Sequence, residues 1–239
     1  VLTLKYTVKA IAAQHGLTAS FMPKPVFGIN GSGMHCHQSL FDTRGNNLFH
    51  NSSDEYHLSP LAYGFIAGQL AHARALSAVV APTVNSYKRL VPGYEAPVYI
   101  CWAQTNRSAL IRIPSHTTDR DKATRAELRF PDPSANPYLA FATILGAALD
   151  GIDRGLTPPK PLNNINIYHL TEEERCKQKI GSLPGSLAEA LTELSRDQVI
   201  RDILGPVVYE AFHRAKAAEW DEYRINVSDW EVQRYLEIA

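Results

Sequence analysis

In residues 30–40 an Asn-Gly turn leads into an alternating run of side chains, and this pattern is the strongest constraint on how the chain can fold. The run reads Asn-Gly-Ser-Gly-Met-His-Cys-His-Gln-Ser-Leu, so the Asn-Gly pair predicts a turn and the alternation predicts a strand over about residues 33–42. Successive strand side chains point to opposite faces, which places His35, His37 and Ser39 together on one face. Two imidazoles and a hydroxyl beside a glycine turn suit a metal or phosphate site better than a strand buried only for packing.

A second alternating run, residues 125–130, presents charged side chains on one face. Arg125, Glu127 and Arg129 alternate with apolar residues, which predicts a strand whose apolar face packs inward. Two interpretations of the charged face remain open. It is either a ladder of salt bridges on an exposed sheet surface, where each pair contributes little, or an anion-binding face that also holds a metal ligand.

Residues 82–97 combine residues that disfavour helices and strands with several polar side chains. Three prolines and a glycine exclude a long regular element. The segment also carries Arg89, Tyr94 and Glu95. It is either a surface loop with solvated charges or a loop placed over a site, since loops on rigid scaffolds often carry function.

The remaining periodicity predicts an α+β protein, with an antiparallel sheet, helices on one side of it and a helical C-terminal portion. Strands are expected at about residues 20–22, 33–42, 98–103, 109–113 and 125–130. Helices are expected at about residues 3–15, 60–76, 137–154, 171–179, 186–195, 197–204, 206–225 and 228–238.

Composition excludes several classes of protein. The 239 residues are 45% hydrophobic and 20% charged, as in a globular protein. Lys plus Arg and Asp plus Glu both number 24, and no apolar run reaches membrane-spanning length, so neither nucleic acid nor a membrane is an expected partner. The three cysteines show no metal-binding spacing, which favours free thiols and a cytoplasmic location.

The polar residues together suggest phosphoryl transfer, with one difficulty. Cationic side chains within residues 89–129 suit polyanions such as ATP. However, only Glu127 can be assigned firmly as a carboxylate ligand, whereas Mg²⁺ usually takes more than one. Either water and substrate supply the other ligands, or further carboxylates lie outside this chain. Arg107 and Arg112 are five residues apart, so a regular strand would place their side chains on opposite faces. Both can reach one site only if Arg107 belongs to the turn that precedes the strand.

Several longer motifs resemble one family. Residues 21–25 followed by 30–40 resemble the ATP-site strand of type I glutamine synthetase, and residues 85–97 resemble its glutamate-site loop. Further similarity lies in residues 106–108, 111–114 and 127–138. The resemblance covers essentially the whole chain, residues 1–239, and is to the C-terminal catalytic domain, whose curved antiparallel sheet is backed by helices.

The resemblance implies that the family's N-terminal β-grasp domain and part of its metal site are absent from residues 1–239. That would account for the shortage of carboxylates. The full-length protein would be a homo-oligomer, a dodecamer of two hexameric rings with active sites between neighbouring subunits. The isolated catalytic domain would then be unable to make glutamine.

The resemblance also assigns roles to individual residues. The metal, Mg²⁺ or Mn²⁺, would be bound by His35 and Glu127. ATP would be bound by His37, Ser39, Arg107, Arg112 and Lys122. Glutamate would be bound by Asn30, Gly31, Arg89, Glu95, Arg107 and Arg129. Of these, the catalytic residues would be Glu95, Arg107 and Arg129.

The implied reaction is ATP-dependent ligation of ammonia to L-glutamate through a γ-glutamyl phosphate. Two alternatives remain: a γ-glutamylpolyamine synthetase-like ligase, and a glutamine-synthetase-like protein without activity. Tyr168 matches the region of a tyrosine that some bacterial members adenylylate. It is followed by His169 instead of an acidic residue, so modification is not expected.

Overall fold

The computed structural model describes residues 1–94, 96–114, 120–163, 165, 167 and 170–238. Within these residues the strands are β1 (Cys36–Gln38), β2 (Tyr99–Ala103), β3 (Ala109–Arg112), β4 (Ala126–Leu128) and β5 (Gly181–Ser182). They form a five-stranded sheet in the order β1-β4-β3-β2-β5. The pairs β1–β4, β3–β4 and β2–β5 are antiparallel, whereas β2–β3 is parallel because residues 104–108 return the chain to the start of β2. The α+β class is confirmed, with this one parallel pair as a difference from the expected pairing.

The helices account for most of the remaining regular structure. The longer ones are α1 (Leu2–Gln14), α2 (Pro60–Ala71), α3 (Ala73–Val80), α6 (Pro137–Asp153), α8 (Leu187–Arg196) and α9 (Gln198–Arg224). The short ones are α4 (Ser86–Arg89), α5 (Arg120–Ala123), α7 (Glu172–Lys177) and α10 (Asp229–Tyr235). Gly205 has a φ of 71° inside α9, and Pro206 cannot donate a helical hydrogen bond. The chain therefore kinks at the boundary predicted between two helices.

Two predicted strands are corrected by the structure. No strand covers residues 20–22, and Pro23 O instead accepts a hydrogen bond from Ser32 N across the following loop. The strand predicted over residues 33–42 is regular only in β1. Before β1, Met34 N donates to Pro131 O, outside the ladder between β1 and β4, and after it Leu40 O accepts from Leu48 N in a local turn. β5 was missed, since two residues are too short for a periodic pattern.

The core lies between the sheet and the helices α2, α3 and α6. Its largest fully buried side chains include Trp102, Phe65 and Phe130. Helices α2 and α6 approach so closely that a Cβ added to Gly68 would lie 2.1 Å from Ala147 O. This contact explains the small residues of α2, because larger side chains would separate the two helices.

The cysteine thiols are free, and two of them are buried in the core. Burial raises the pKa of Cys36 to about 11 and that of Cys101 to about 12, so both stay protonated at neutral pH. Cys176 is exposed. In the part of the chain that the structure describes, no helix is long and apolar enough to cross a membrane.

His72 interrupts the helix that was predicted over residues 60–76 and forms a buried cluster with two carboxylates. It is 7% exposed and lies between α2 and α3. Its Nδ1 is 2.6 Å from Asp197 Oδ2, and its Nε2 is 3.0 Å from Asp150 Oδ2. Burial favours the neutral ring, but the hydrogen bonds to Asp197 and Asp150 outweigh it and raise the pKa of His72. The charged imidazole therefore ties the α2–α3 junction to the C-terminal part of α6 and the start of α9.

We expect His72→Gln to lower the free energy of unfolding by roughly 3 kcal/mol at pH 6, because it leaves two carboxylates without their shared cation. The raised pKa means that the folded state binds a proton more tightly than the unfolded state. The stabilisation is complete below the unfolded pKa of about 6.5 and is lost as the pH rises through the folded value. Urea unfolding between pH 5.5 and 9 measures both effects.

The matched control is Arg154→Gln, because Arg154 pairs with the same Asp150 but its side chain is 55% exposed. Its loss should cost less than about 1 kcal/mol. A difference between wild type and His72→Gln that stays constant over this pH range would contradict the assignment of a charged His72.

Candidate active site

The three neighbouring strands β1, β4 and β3 bring their polar residues into one row. In the registers of β1–β4 and β3–β4, Glu127 lies opposite both His37 and Arg112. Directly opposed residues in antiparallel strands point to the same face. The two charged faces predicted separately from residues 30–40 and 125–130 are therefore one surface.

Glu127 is the centre of this surface and is buried. Its side chain is 5% exposed, and Oε1 lies 2.9 Å from His35 Nδ1 and 3.5 Å from Arg129 Nε. Arg112 Nε lies 3.1 Å from Oε2. That ion pair is not aligned as a hydrogen bond, so among the described residues no donor is placed to satisfy the buried Oε2. The burial of Glu127 and Arg129 excludes the exposed salt-bridge ladder and favours a site.

His35 has the protonation state that a metal ligand needs. Burial, and next the positive charge of Arg129, lower the pKa of His35, and Glu127 opposes this effect only in part. The ring is therefore neutral at neutral pH and can offer a nitrogen lone pair.

The fit of this pair to a divalent cation is good but partial. A neutral imidazole and a carboxylate with one unsatisfied oxygen are suitable donors for Mg²⁺ or Mn²⁺. Within the described ranges, no group of three or more His, Cys, Asp and Glu side chains could hold a metal. Two donors are thus in place, in agreement with the shortage of carboxylates noted in the sequence.

A cavity of about 200 Å³ opens beside this pair and collects most of the residues expected to bind glutamate. It is lined by Asn30, Gly31, Gly33, His35, Arg89, Tyr94, Ala96 and Arg129. Five of these, Asn30, Gly31, His35, Arg89 and Arg129, are predicted site residues. The cavity is large enough for a small polar molecule, and its guanidinium groups suit an anionic one.

Arg89 is held in this cavity by the main chain that leaves β4. It is 4% exposed, and its guanidinium donates to Phe130 O at 2.7 Å and to Arg129 O at 3.1 Å. Burial lowers its pKa to about 10, so it remains charged at neutral pH. The fully buried Asp132 lies nearby and acts on Arg89 electrostatically. Asp132, which the sequence did not assign, thus offsets part of the cost of burying this cation.

The residues expected to contact ATP lie mainly on the other side of His35. His37 and Ser39 are exposed, and both line a second cavity of about 530 Å³ between β1 and the apolar side chains of α2 and α6. Arg125 Nε donates to His37 Nδ1 at 3.0 Å. Arg125 was seen on the charged face in the sequence but was not assigned to the site.

The structure does not place the remaining predicted residues in the 200 Å³ cavity. Arg107 is exposed in the turn before β3, where strand parity required it, and does not line that cavity. Lys122 is exposed in α5 and does not line it either. Glu95 and Tyr168 lie outside the described residues, so their predicted roles stay predictions.

Comparison with known proteins identifies the family to which this fold and site belong. Residues 1–235 match the family described as glutamine synthetase, catalytic domain. The chain belongs to this family. It is 56% identical over 236 residues to the glutamine synthetase of Thermus thermophilus, covering 99% of this chain and 52% of that protein. For the glutamine synthetase of Methanocaldococcus jannaschii, the identity is 53% over 237 residues, covering 99% and 51%.

Solved structures agree with the sequence relatives. GmaS without ligand has a TM-score of 0.85 and is 41% identical, covering 98% of this chain and 52% of that chain. A complex of GmaS with ADP has a TM-score of 0.86 at the same identity and coverage. The chain therefore spans about half the length of the curated relatives it matches.

For this member of the glutamine synthetase family, we expect Glu127→Gln to weaken Mn²⁺ binding in the presence of ADP by tenfold or more, on the order expected for lost metal-site contacts. The amide keeps the size of the side chain but lacks the negative charge that pairs with the cation. Electron paramagnetic resonance of free Mn²⁺ measures the affinity. The control is Glu189→Gln, which makes the same change of charge and should bind Mn²⁺ normally. Glu189 is exposed, far from the site in the sequence, and accepts a hydrogen bond from Gly185 N. Equal affinity in wild type and Glu127→Gln would contradict the assignment.

Proposed function

We propose that the chain is the catalytic half of a ligase that uses ATP to join ammonia to the γ-carboxylate of L-glutamate. The observation that carries this proposal is the buried Glu127 carboxylate, which lies between His35, Arg112 and Arg129. The cationic 200 Å³ cavity opens beside it. Phosphoryl transfer needs positioning and cationic stabilisation more than covalent chemistry from the protein.

Glutamate would occupy the 200 Å³ cavity. Arg89, which lines the cavity and stays charged, would bind its α-carboxylate. Asn30 and Gly31 line the same cavity through the loop that precedes β1, where an amide side chain and a close backbone can orient the substrate. The γ-carboxylate would then lie towards Arg129.

ATP would approach from the side of His37, Ser39 and Arg112. Arg112 would bind phosphate oxygens, and Arg129, with Arg107 from the turn before β3, would stabilise the charge that develops on the transferring phosphoryl group. The GmaS complex with ADP supports a nucleotide in this fold. His35 and Glu127 would hold Mg²⁺ or Mn²⁺, which neutralises charge on the phosphates when bound.

The second step would require exclusion of water and removal of a proton. The γ-glutamyl phosphate formed first is prone to hydrolysis, so ammonia must reach it before water does. Glu95 follows Tyr94, which lines the cavity. In this proposal the Glu95 loop covers the site, and the Glu95 carboxylate accepts the proton from the attacking ammonium.

The whole protein would contain more than residues 1–239. The relatives are about twice as long, which leaves room for the preceding β-grasp domain and the further metal-binding carboxylates that we propose. The dodecameric assembly of two hexameric rings is part of the same proposal. The described residues supply two metal donors, and we therefore propose that this half does not complete the reaction by itself.

Ligation of glutamate to an amine, as in a γ-glutamylpolyamine synthetase-like ligase, is the second candidate. The curated relatives at 51% to 56% identity are named glutamine synthetase. Those names favour ammonia as the acceptor. A protein without activity is disfavoured because the residues predicted for the site are present and five of them, Asn30, Gly31, His35, Arg89 and Arg129, line one cavity.

In the full-length protein, phosphate release that depends on both ATP and glutamate should be faster with ammonium than with putrescine. A coupled assay that measures inorganic phosphate at matched acceptor concentrations tests this, and faster release with putrescine would overturn the choice of ammonia.

The same assay measures the role of Arg89. Arg89→Gln should raise KM for glutamate by roughly tenfold or more, because a charge-assisted bond to a carboxylate is lost.

Residues 1–239 alone should make no detectable glutamine from ATP, glutamate and ammonium, because the described metal site is incomplete. Chromatographic detection of glutamine measures this, with the Thermus thermophilus relative as the positive control. Glutamine formation by these residues alone would contradict the proposed dependence on a second half.

A further inference from the structure

We propose that Lys24 is a positioning residue for the glutamate site, which it shapes by joining the Asn30–Gly31 loop to Tyr94. The proposal rests on the proposed function for the identity of the substrate. The contacts themselves do not depend on that function. Lys24 is not among the residues that line the 200 Å³ cavity, so it acts through its neighbours.

Lys24 is a buried cation with two specific partners. The residue is 8% exposed, and its Nζ donates a hydrogen bond to Ile29 O. The same Nζ lies 3.9 Å from the centroid of the Tyr94 ring, which is a close cation–π contact. A buried ammonium is costly unless it is paired, so these two contacts fix where the side chain can lie. We call them the Lys24 brace.

The backbone of Lys24 is held independently of its side chain. Lys24 N donates to Asn85 Oδ1 at 2.8 Å, and Asn85 Nδ2 donates to Lys24 O at 3.0 Å. Asn85 directly precedes α4, whose last residue is Arg89. The brace is therefore anchored to the element that carries the proposed α-carboxylate ligand.

On one side, the brace holds the loop that carries Asn30 and Gly31. Ile29, whose carbonyl binds the ammonium, immediately precedes Asn30. Ser32 N donates to Pro23 O at 2.8 Å, and a Cβ at position 31 would lie 2.1 Å from the same oxygen. The loop is thus held by hydrogen bonds at Ile29 and Ser32, on both sides of Asn30 and Gly31. The contact at Gly31 leaves no room for a side chain.

On the other side, the brace holds Tyr94. This residue is half-buried, lines the cavity and immediately precedes Glu95 in the sequence. One ammonium group thereby positions two segments that line the cavity relative to each other. Loss of that group should loosen the fit to glutamate and leave the phosphoryl-transfer residues Glu127 and Arg129 in place.

The test is Lys24→Met in the full-length protein, since methionine keeps an unbranched apolar side chain and removes the ammonium. We expect KM for glutamate to rise by about tenfold, with kcat and KM for ATP within about twofold of wild type. Lys24→Arg, which keeps a cation able to contact an aromatic ring, should restore part of the loss. Lys88→Met is the matched control, because exposed Lys88 lies 5.3 Å from the Tyr223 ring outside the site, and it should behave as wild type.

Tyr94 tests the same contact from its other end and does not require a change in a buried residue. Tyr94→Leu should raise KM for glutamate as Lys24→Met does, and Tyr94→Phe should have a smaller effect because it keeps the ring. The double variant Lys24→Met/Tyr94→Leu should be little worse than either single variant, because both remove one interaction. Fully additive effects on KM would overturn the brace.

Hydrogen exchange provides a measurement that is independent of activity. In Lys24→Met or Tyr94→Leu, amides in residues 29–32 and 91–94 should exchange faster than in wild type, with the α2 and α6 amides unchanged. Faster exchange confined to these segments supports the brace even if wild type shows no glutamate-dependent phosphate release, a result that would refute the proposed function alone. Unchanged exchange in both segments would overturn the brace whatever the activity.

Discussion

The buried charge of Glu127 is the constraint on which the arrangement of β1, β3 and β4 depends. A carboxylate that is 5% exposed carries a desolvation penalty of several kcal/mol unless cations and hydrogen-bond donors surround it. Here the partners come from three separate chain segments, through His35, Arg112 and Arg129. A shift of one residue in either strand register would turn Glu127 away from the face that carries His35 or Arg112, whereas Arg129, two residues further along the same segment, would move with it. The same charge that suits Glu127 to bind a cation therefore also specifies the pairing.

The paired strands position some residues of the site, and the loops around them position the others. The strands fix Glu127 and Arg112, whereas Arg89, Asn30, Gly31 and Tyr94 reach the cavity from loops or from the end of a four-residue helix. Loops need their own fixed points, and here buried cations provide them. Arg89 binds the carbonyl groups that follow β4, and Lys24 binds the carbonyl group that precedes Asn30. Both place a charge where it costs free energy, as is common where the geometry of a site must be specified.

Local patterns in the sequence predicted what period-two alternation and capping can determine. Alternation placed Glu127 and Arg129 on one strand face and His35 and His37 on another. The capping residue Ser59 and the proline that follows it marked the start of α2. The joining of the two faces required the β1–β4 register, which depends on residues about 90 apart in the chain.

Features that depend on distant partners were not predictable. The break at His72 depends on Asp150 and Asp197, which lie 78 and 125 residues away in the sequence. Lys24 carried no local signal beyond its position between two prolines, and its role depends on Tyr94 and Asn85. Neither could be inferred without the fold, because helical and strand periodicities report only which face a residue occupies.

Two independent properties of the site lead to the same requirement for additional negative charge. The first is coordination, since the described residues offer two donors, His35 and Glu127, to a cation that prefers about six. The second is electrostatic, since burial is the largest cause that lowers the pKa of His35, and the charges of Arg129 and Arg89 lower it further and so disfavour another positive charge at that ring. A divalent cation bound there meets the same repulsion. Its binding therefore needs more anionic ligands, either carboxylates beyond the described residues or the phosphate oxygens of the nucleotide, and this couples metal affinity to the arrival of those groups.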